Sequence, residues 1–309
     1  LRVLFMGTPD FAVPSLEALL SAGHEVCGVL TQPDRPVGRG MKLAQSPVKV
    51  CALSHGLTVY QPETLRRCAI RPLLEELQPD VICVVAYGQL LPPYVLEYPR
   101  YGCINVHASL LPKYRGAGPI QAAIINGETE TGVTTMFMGR KLDNGDMLLM
   151  ARTPIGPDET ADMLHDRLKI MGADLLVQTL TRLEQGSIQR IPQDDTQMTY
   201  APMLTKDDGR MDWSLPARTL YNRARGVNPW PGAFTYVDGQ PMKLGAIAMG
   251  EPSEGAPGTV RMDGNTLTVV CGDGITLRVG MLQPAGKRMM LAGDYARGHK
   301  LPERFEGTL

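Results

Sequence analysis

Leu1-Arg2-Val3-Leu4-Phe5-Met6-Gly7-Thr8-Pro9-Asp10 is an apolar run that ends in glycine and a Thr-Pro-Asp turn. Val13, Leu16, Leu19 and Leu20 follow it at helical spacing. The pattern predicts strand, tight turn, helix. It recurs down the chain, with Val26-Cys27-Gly28-Val29-Leu30, Val81-Ile82-Cys83-Val84-Val85-Ala86 and Cys103-Ile104-Asn105-Val106 as further strands. None of these runs alternates apolar with polar residues, so each must be covered on both faces. That is the condition of a parallel strand in a sheet flanked by helices.

Beyond Gly132 the pattern changes. Val133-Thr134-Thr135-Met136-Phe137-Met138 and Met147-Leu148-Leu149-Met150-Ala151-Arg152 flank Asp143-Asn144-Gly145-Asp146, which predicts a hairpin with a polar tip. A helix is expected over 160–185, and from Gly186 to Pro202 periodicity is lost. Short strand candidates then follow at 233–237, 242–248, 258–261, 267–270 and 275–279, separated by Gly, Pro and Asp turns. The expected architecture is α/β. A Rossmann-like, mostly parallel sheet flanked by helices occupies 1–189, a linker 190–206, and a small OB-like β-barrel 207–309. A length of 309 residues is enough for two such cores.

Composition narrows the classes. With 31 Lys+Arg against 32 Asp+Glu, a polyanionic partner would have to be held by a local basic patch, not by the charge of the whole chain. Arg223-Ala224-Arg225 and Lys287-Arg288 are such clusters. The six cysteines have no CxxC spacing and sit mostly inside apolar runs. They read as reduced core residues of a cytoplasmic protein, with no metal expected. No 18-residue apolar run is present, so neither a membrane span nor export is expected.

His24, His55, His165 and His299 stand beside or on helices or in the C-terminal region, whereas His107 ends an apolar strand with Asn105 two residues before it. At strand spacing both side chains point to one side of the sheet. The carboxyl ends of strands in a doubly wound sheet form its ligand crevice. An amide and an imidazole there can both donate to one developing oxyanion, the main electrostatic demand of acyl transfer. Asp143 at a loop tip could approach and favour the protonated ring. On spacing alone, a structural Asn-His hydrogen-bond pair remains an alternative.

The continuation Asn105-Val106-His107-Ala108-Ser109-Leu110-Leu111-Pro112-Lys113-Tyr114-Arg115-Gly116 resembles the signature of the formyltransferases that use 10-formyltetrahydrofolate. Leu142-Asp143-Asn144-Gly145-Asp146 resembles their second motif. The resemblance implies Asn105, His107 and Asp143 as catalytic residues, and Ser109, Leu110, Leu111 and Pro112 as the loop that contacts the folate. It also implies a reaction that needs neither metal nor nucleophilic side chain, because the acceptor amine attacks the formyl carbon directly.

Further segments bear on the acceptor. Thr31-Gln32-Pro33-Asp34-Arg35-Pro36-Val37-Gly38-Arg39-Gly40-Met41-Lys42-Leu43 is a Gly-rich basic loop, longer than a compact sheet needs. It resembles the insertion loop of the family members that act on initiator methionyl-tRNA, with Arg39 and Lys42 at its basic positions. Met41 stands where that pattern has a second basic residue. Asn228-Pro229-Trp230-Pro231-Gly232-Ala233-Phe234 and Leu282-Gln283-Pro284-Ala285-Gly286-Lys287-Arg288 resemble the barrel motifs of the same enzymes. Trp230 between two prolines suits a packed turn. Lys287 and Arg288, and then Arg223 and Arg225, are the expected phosphate contacts, which position an RNA without reading its bases. Gly7-Thr8-Pro9-Asp10-Phe11 resembles the family's opening turn and has one glycine where a dinucleotide fingerprint needs three. A monomer that acts on initiator methionyl-tRNA is the resulting expectation. A nucleotide-linked amino sugar, or water in a hydrolase, is the competing acceptor.

Overall fold

The computed structural model describes residues 1–37 and 42–306. The chain divides into two compact units. One comprises Leu1–Pro119, Glu130–Pro154 and His165–Ala201, the other Ile120–Thr129, Ile155–Leu164 and Pro202–Leu309.

The elements run β1 (Arg2–Gly7), α1 (Val13–Ser21), β2 (Glu25–Leu30), β3 (Arg35–Val37), β4 (Lys42–Ala44), α2 (Pro47–Ser54), β5 (Val59–Tyr60) and α3 (Arg71–Leu77). They continue with β6 (Val81–Val85), α4 (Pro93–Leu96), β7 (Cys103–His107), α5 (Pro119–Ile125), β8 (Glu130–Phe137), β9 (Met147–Pro154) and α6 (Ala161–Glu184). The sheet of the first unit has the order β5-β2-β1-β6-β7-β8-β9. Its first five strands are parallel, β8 pairs antiparallel with β7, and β9 pairs antiparallel with β8. This is the expected Rossmann-like sheet with a hairpin on one edge.

The sheet is buried as its unbroken apolar runs require. Alternate residues Leu4 and Met6 of β1 and Ile82 and Val84 of β6 share one core with Leu65, Ile70 and Leu74. On the other face α6 lies close to the sheet at Gly172, where a Cβ would come within 2.8 Å of Val106 Cγ1. Strand order reverses at β1, which has β2 on one side and β6 on the other. Connections diverge there and leave a crevice at the carboxyl ends. Gly7 stands at that end because a side chain would meet Ala12 at 2.8 Å and the Val85 carbonyl at 3.0 Å. Thr8 Oγ1 donates to the Tyr87 carbonyl at 3.0 Å and ties the turn after β1 to the segment after β6.

The second unit holds α7 (Ala217–Gly226), β10 (Phe234–Val237), β11 (Gln240–Pro252), β12 (Val260–Asp263), β13 (Thr266–Val270), β14 (Ile275–Pro284), β15 (Met290–Leu291) and α8 (Ala292–Gly298). Its antiparallel sheet has the order β10-β11-β14-β13-β12, with β15 on β14. The ends of this path meet through the C-terminal segment. Thr259 pairs with Arg304 beside β12, and Tyr236 of β10 pairs with Glu306. The sheet is thereby closed into a small barrel. Trp213, Leu220, Leu244, Leu277, Leu282 and Phe305 fill it, and Trp213 Nε1 donates to Thr235 Oγ1 at 3.0 Å.

Several expectations are corrected. Cys51, Cys83, Cys103 and Cys271 are buried as read, but Cys68 is exposed, in a left-handed turn at φ 58 and not in a strand. Trp230 is 53 % exposed; the burial in its motif comes from Pro231 and Ala233. Residues 190–201, expected as part of a linker, belong to the first unit. They are held by reciprocal bonds between Ile191 and Met147, at 2.8 and 2.9 Å, and by Arg115 N donating to Thr199 O at 2.9 Å. Their lack of periodicity reflects pairing to loops, not freedom from the fold.

Candidate active site

β7 carries Asn105 and His107 two positions apart, at 9 % and 6 % exposure, while Val106 between them faces Gly172 of α6. His107 Nε2 lies 2.8 Å from the Tyr114 carbonyl. A carbonyl can only accept, so Nε2 carries the proton and Nδ1 is the nitrogen turned toward Asp143. Asp143 Oδ2 stands 3.8 Å from Nδ1, an ion-pair distance for a protonated ring and too long for a hydrogen bond. The hairpin of β8 and β9 thus brings Asp143 to the pair. Among the described residues no hydrogen bond holds the Asn105 amide.

Asp143 itself has a left-handed backbone, at φ 48, and its Oδ2 accepts from Gly116 N at 2.8 Å. Two residues on, Gly145 passes so close to β8 that a Cβ would sit 1.7 Å from the Phe137 carbonyl; only glycine fits. The loop after β7 is closed by its own side chains. Ser109 Oγ donates to the Lys113 carbonyl at 2.7 Å, and Thr134 Oγ1 donates to the Ser109 carbonyl at 2.7 Å. Of the four loop residues expected at the folate, Ser109 and Leu111 are buried. Leu110 and Pro112 are the ones with surface to offer.

Arg115 and Gln193 were not singled out as site residues by the sequence. Arg115, 7 % exposed, donates from Nε to Gln193 Oε1 at 2.9 Å and from Nη2 to Asp195 Oδ1 at 2.6 Å. Gln193 Nε2 donates in turn to the Asp143 and Gly145 carbonyls, both at 2.8 Å. Arg115 lies inside the quoted motif, but nothing local marks Gln193, whose partners are 48 to 78 residues away. An open cavity of about 380 Å³ adjoins this region, lined by Arg115, Lys141, Leu142, Asn144, Asp195, Met198 and Tyr200.

The residues expected to contact RNA are distributed unevenly. Arg39 and the side chain of Lys42 lie outside the described residues. In the second unit Lys287 and Arg288 are exposed in the turn between β14 and β15. Arg223 is half-buried and donates to the Asp208 carbonyl at 3.0 Å. Arg225 is corrected from a phosphate contact to an interior brace. It is 7 % exposed, and its guanidinium donates to the Glu159 carbonyl and to Asn222 Oδ1, each at 2.7 Å.

The formyl transferase profile matches residues 1–180 and that of the formyl transferase C-terminal domain matches 203–300. The chain belongs to the formyl transferase family. Among its relatives this formyl transferase is 51 % identical over 307 residues to the methionyl-tRNA formyltransferase of Pelotomaculum thermopropionicum, covering 98 % of this chain and 97 % of the other. It is 50 % identical over 311 residues to that of Acidobacterium capsulatum, with both chains covered in full. Among solved structures, an N-formyltransferase of Helicobacter canadensis with folinic acid and dTDP-3-aminofucose has a TM-score of 0.69 at 18 % identity, over 92 % of this chain and 99 % of that one. HypX of Aquifex aeolicus with tetrahydrofolic acid has a TM-score of 0.63 at 16 % identity, over 95 % of this formyl transferase and 46 % of HypX. At such identities the structures share the fold alone. No described helix is long and apolar enough to cross a membrane.

Proposed function

We propose that this formyl transferase carries the formyl group of 10-formyltetrahydrofolate to the α-amino group of methionine on initiator methionyl-tRNA, acting as a cytoplasmic monomer. The observation that carries the reading is identity near 50 % with methionyl-tRNA formyltransferases across both units, barrel included. The exposed Lys287 and Arg288 on the barrel and the basic residues Arg39 and Lys42 suit contacts to phosphate.

In the proposed reaction the amine nitrogen attacks the formyl carbon, and a tetrahedral intermediate forms with its charge on the former carbonyl oxygen. The Asn105 amide, held by no described partner, and the protonated Nδ1 of His107 donate to that oxygen. Asp143 stands at Nδ1 as the counter-charge. Collapse breaks the bond to N10 of the folate, and the proton lost by the attacking nitrogen ends on N10, passed by Asp143 or His107. Leu110 and Pro112 present the surface proposed to meet the folate, while Ser109 and Leu111 hold the loop that carries it.

The test is transfer of labelled formyl from 10-formyltetrahydrofolate to initiator methionyl-tRNA, beside an amino-sugar nucleotide, glycinamide ribonucleotide and water alone. Label on the aminoacyl-tRNA is the expected result. Label confined to a small amine, or released as formate, would overturn the acceptor and leave the chemistry of the trio standing.

A further inference from the structure

Two loops must be aligned for His107 and Asp143 to face each other. The first, at 114–116, fixes the imidazole through the Tyr114 carbonyl and the carboxylate through Gly116 N, each at 2.8 Å. The second, at 142–146, carries Asp143 in a left-handed backbone, which aspartate enters more readily than most residues. Beside the direct bond from Gly116 N to Asp143 Oδ2, one pair of side chains joins the loops. Gln193 spends both amide hydrogens on the second loop, at the Asp143 and Gly145 carbonyls, and accepts on Oε1 from Arg115 of the first. Asp195 accepts from the far side of the same guanidinium at 2.6 Å. Arg115 is also pinned through its backbone, since its N–H donates to Thr199 O and its carbonyl accepts from Ala201 N at 2.7 Å. Every polar atom of the Gln193 side chain therefore has a partner at the site.

We propose that Gln193 and Arg115 are positioning residues for formyl transfer, a bridge from the 190–201 segment that sets the approach of Asp143 to His107. Their side-chain hydrogen bonds go to one another, to Asp195 and to loop carbonyls, not to the Asn105 amide, the His107 ring or the Asp143 carboxylate. Their effect is geometric: an amide whose two hydrogens span carbonyls two residues apart fixes the orientation of the loop as well as its place. Misplacement of a catalytic group by about 1 Å is enough to lower turnover on the order of a hundredfold. The proposal rests on the assignment of His107 and Asp143 to the reacting centre and is independent of which amine is the acceptor.

Gln193→Met keeps side-chain length and removes every hydrogen bond. Gln193→Glu keeps an acceptor for Arg115 but sets carboxylate oxygens against the two loop carbonyls. Both are measured beside Asp143→Ala, with kcat and the KM of each substrate determined at a temperature where thermal melting shows all chains folded. Both Gln193 variants are expected to lose about ten- to a hundredfold in kcat with each KM within about twofold. Wild-type kcat in folded Gln193→Met would overturn the proposal, and so would wild-type kcat in Gln193→Glu alone, which would mean that Gln193 serves only Arg115. An Asp143→Ala variant at full activity would instead overturn the assignment of the trio.

Discussion

At the scale of single residues the site is defined by which atoms are already engaged. The Tyr114 carbonyl accepts a hydrogen bond from Nε2 of His107 and leaves Nδ1 as the nitrogen proposed to act on the substrate. The Asn105 amide, buried to 9 % and held by no described residue, keeps its donors for a substrate oxygen. Asn105→Ala should therefore lower kcat by about 10²–10³-fold, the effect of losing one oxyanion donor, with little change in folate KM. Steady-state kinetics decide it, and a loss below about tenfold would remove Asn105 from that role. Gly145 shows the same logic in the backbone, because the Phe137 carbonyl fills the space of its absent Cβ and so sets the path of the loop that bears Asp143.

At the scale of elements, the pairing of α6 with β7 carries most weight. Gly172 lets the helix approach the strand until Val106, flanked by Asn105 and His107, packs directly against it. Gly172→Leu would force side-chain volume into that space, and overpacking of this kind costs about 1–3 kcal/mol. The expected outcome is a lower melting temperature together with reduced kcat, since any shift of β7 moves both proposed catalytic groups. Unchanged melting and activity would show that α6 can slide without disturbing the strand. Thr135 of the neighbouring β8 and Thr179 tie the same helix to the sheet with a buried hydroxyl pair at 2.8 Å.

At the scale of the whole molecule, the chain is nearly neutral, so its affinity for a polyanion must come from patches. Lys287 and Arg288 form the exposed patch in the described part of the barrel that the sequence singled out. Replacing both by alanine should raise the KM for tRNA and flatten its salt dependence by about one unit of slope for each phosphate no longer neutralised, while folate KM stays within about twofold. Activity titrated against salt concentration is the measurement. Identical salt profiles for variant and wild type would remove this turn from the acceptor surface. Arg225→Ala, by contrast, deletes an interior brace and belongs to stability measurements.

Much of this was legible in the linear chain, for reasons that are local. Runs such as Val81–Val85 must be buried on both faces and so declare a parallel strand. Asn105 and His107 share one side because strand side chains repeat every two residues, and the polar tip between β8 and β9 announces the turn that bears Asp143. Tertiary structure alone decided what depends on distant partners. Residues 190–201 have no periodicity because their hydrogen bonds go to loops at 114–118 and 142–147, so they read as a linker and prove to be part of the site's frame. Arg225 looks like any surface cation until the carbonyls of 156–159 surround it. The closing of the barrel through 303–306 depends on pairings at both sheet edges that no local pattern encodes. Periodicity and spacing determine which residues share a face, because they act within a few positions. Pairing between distant loops is set only when the chain folds and its buried polar groups must each find a partner.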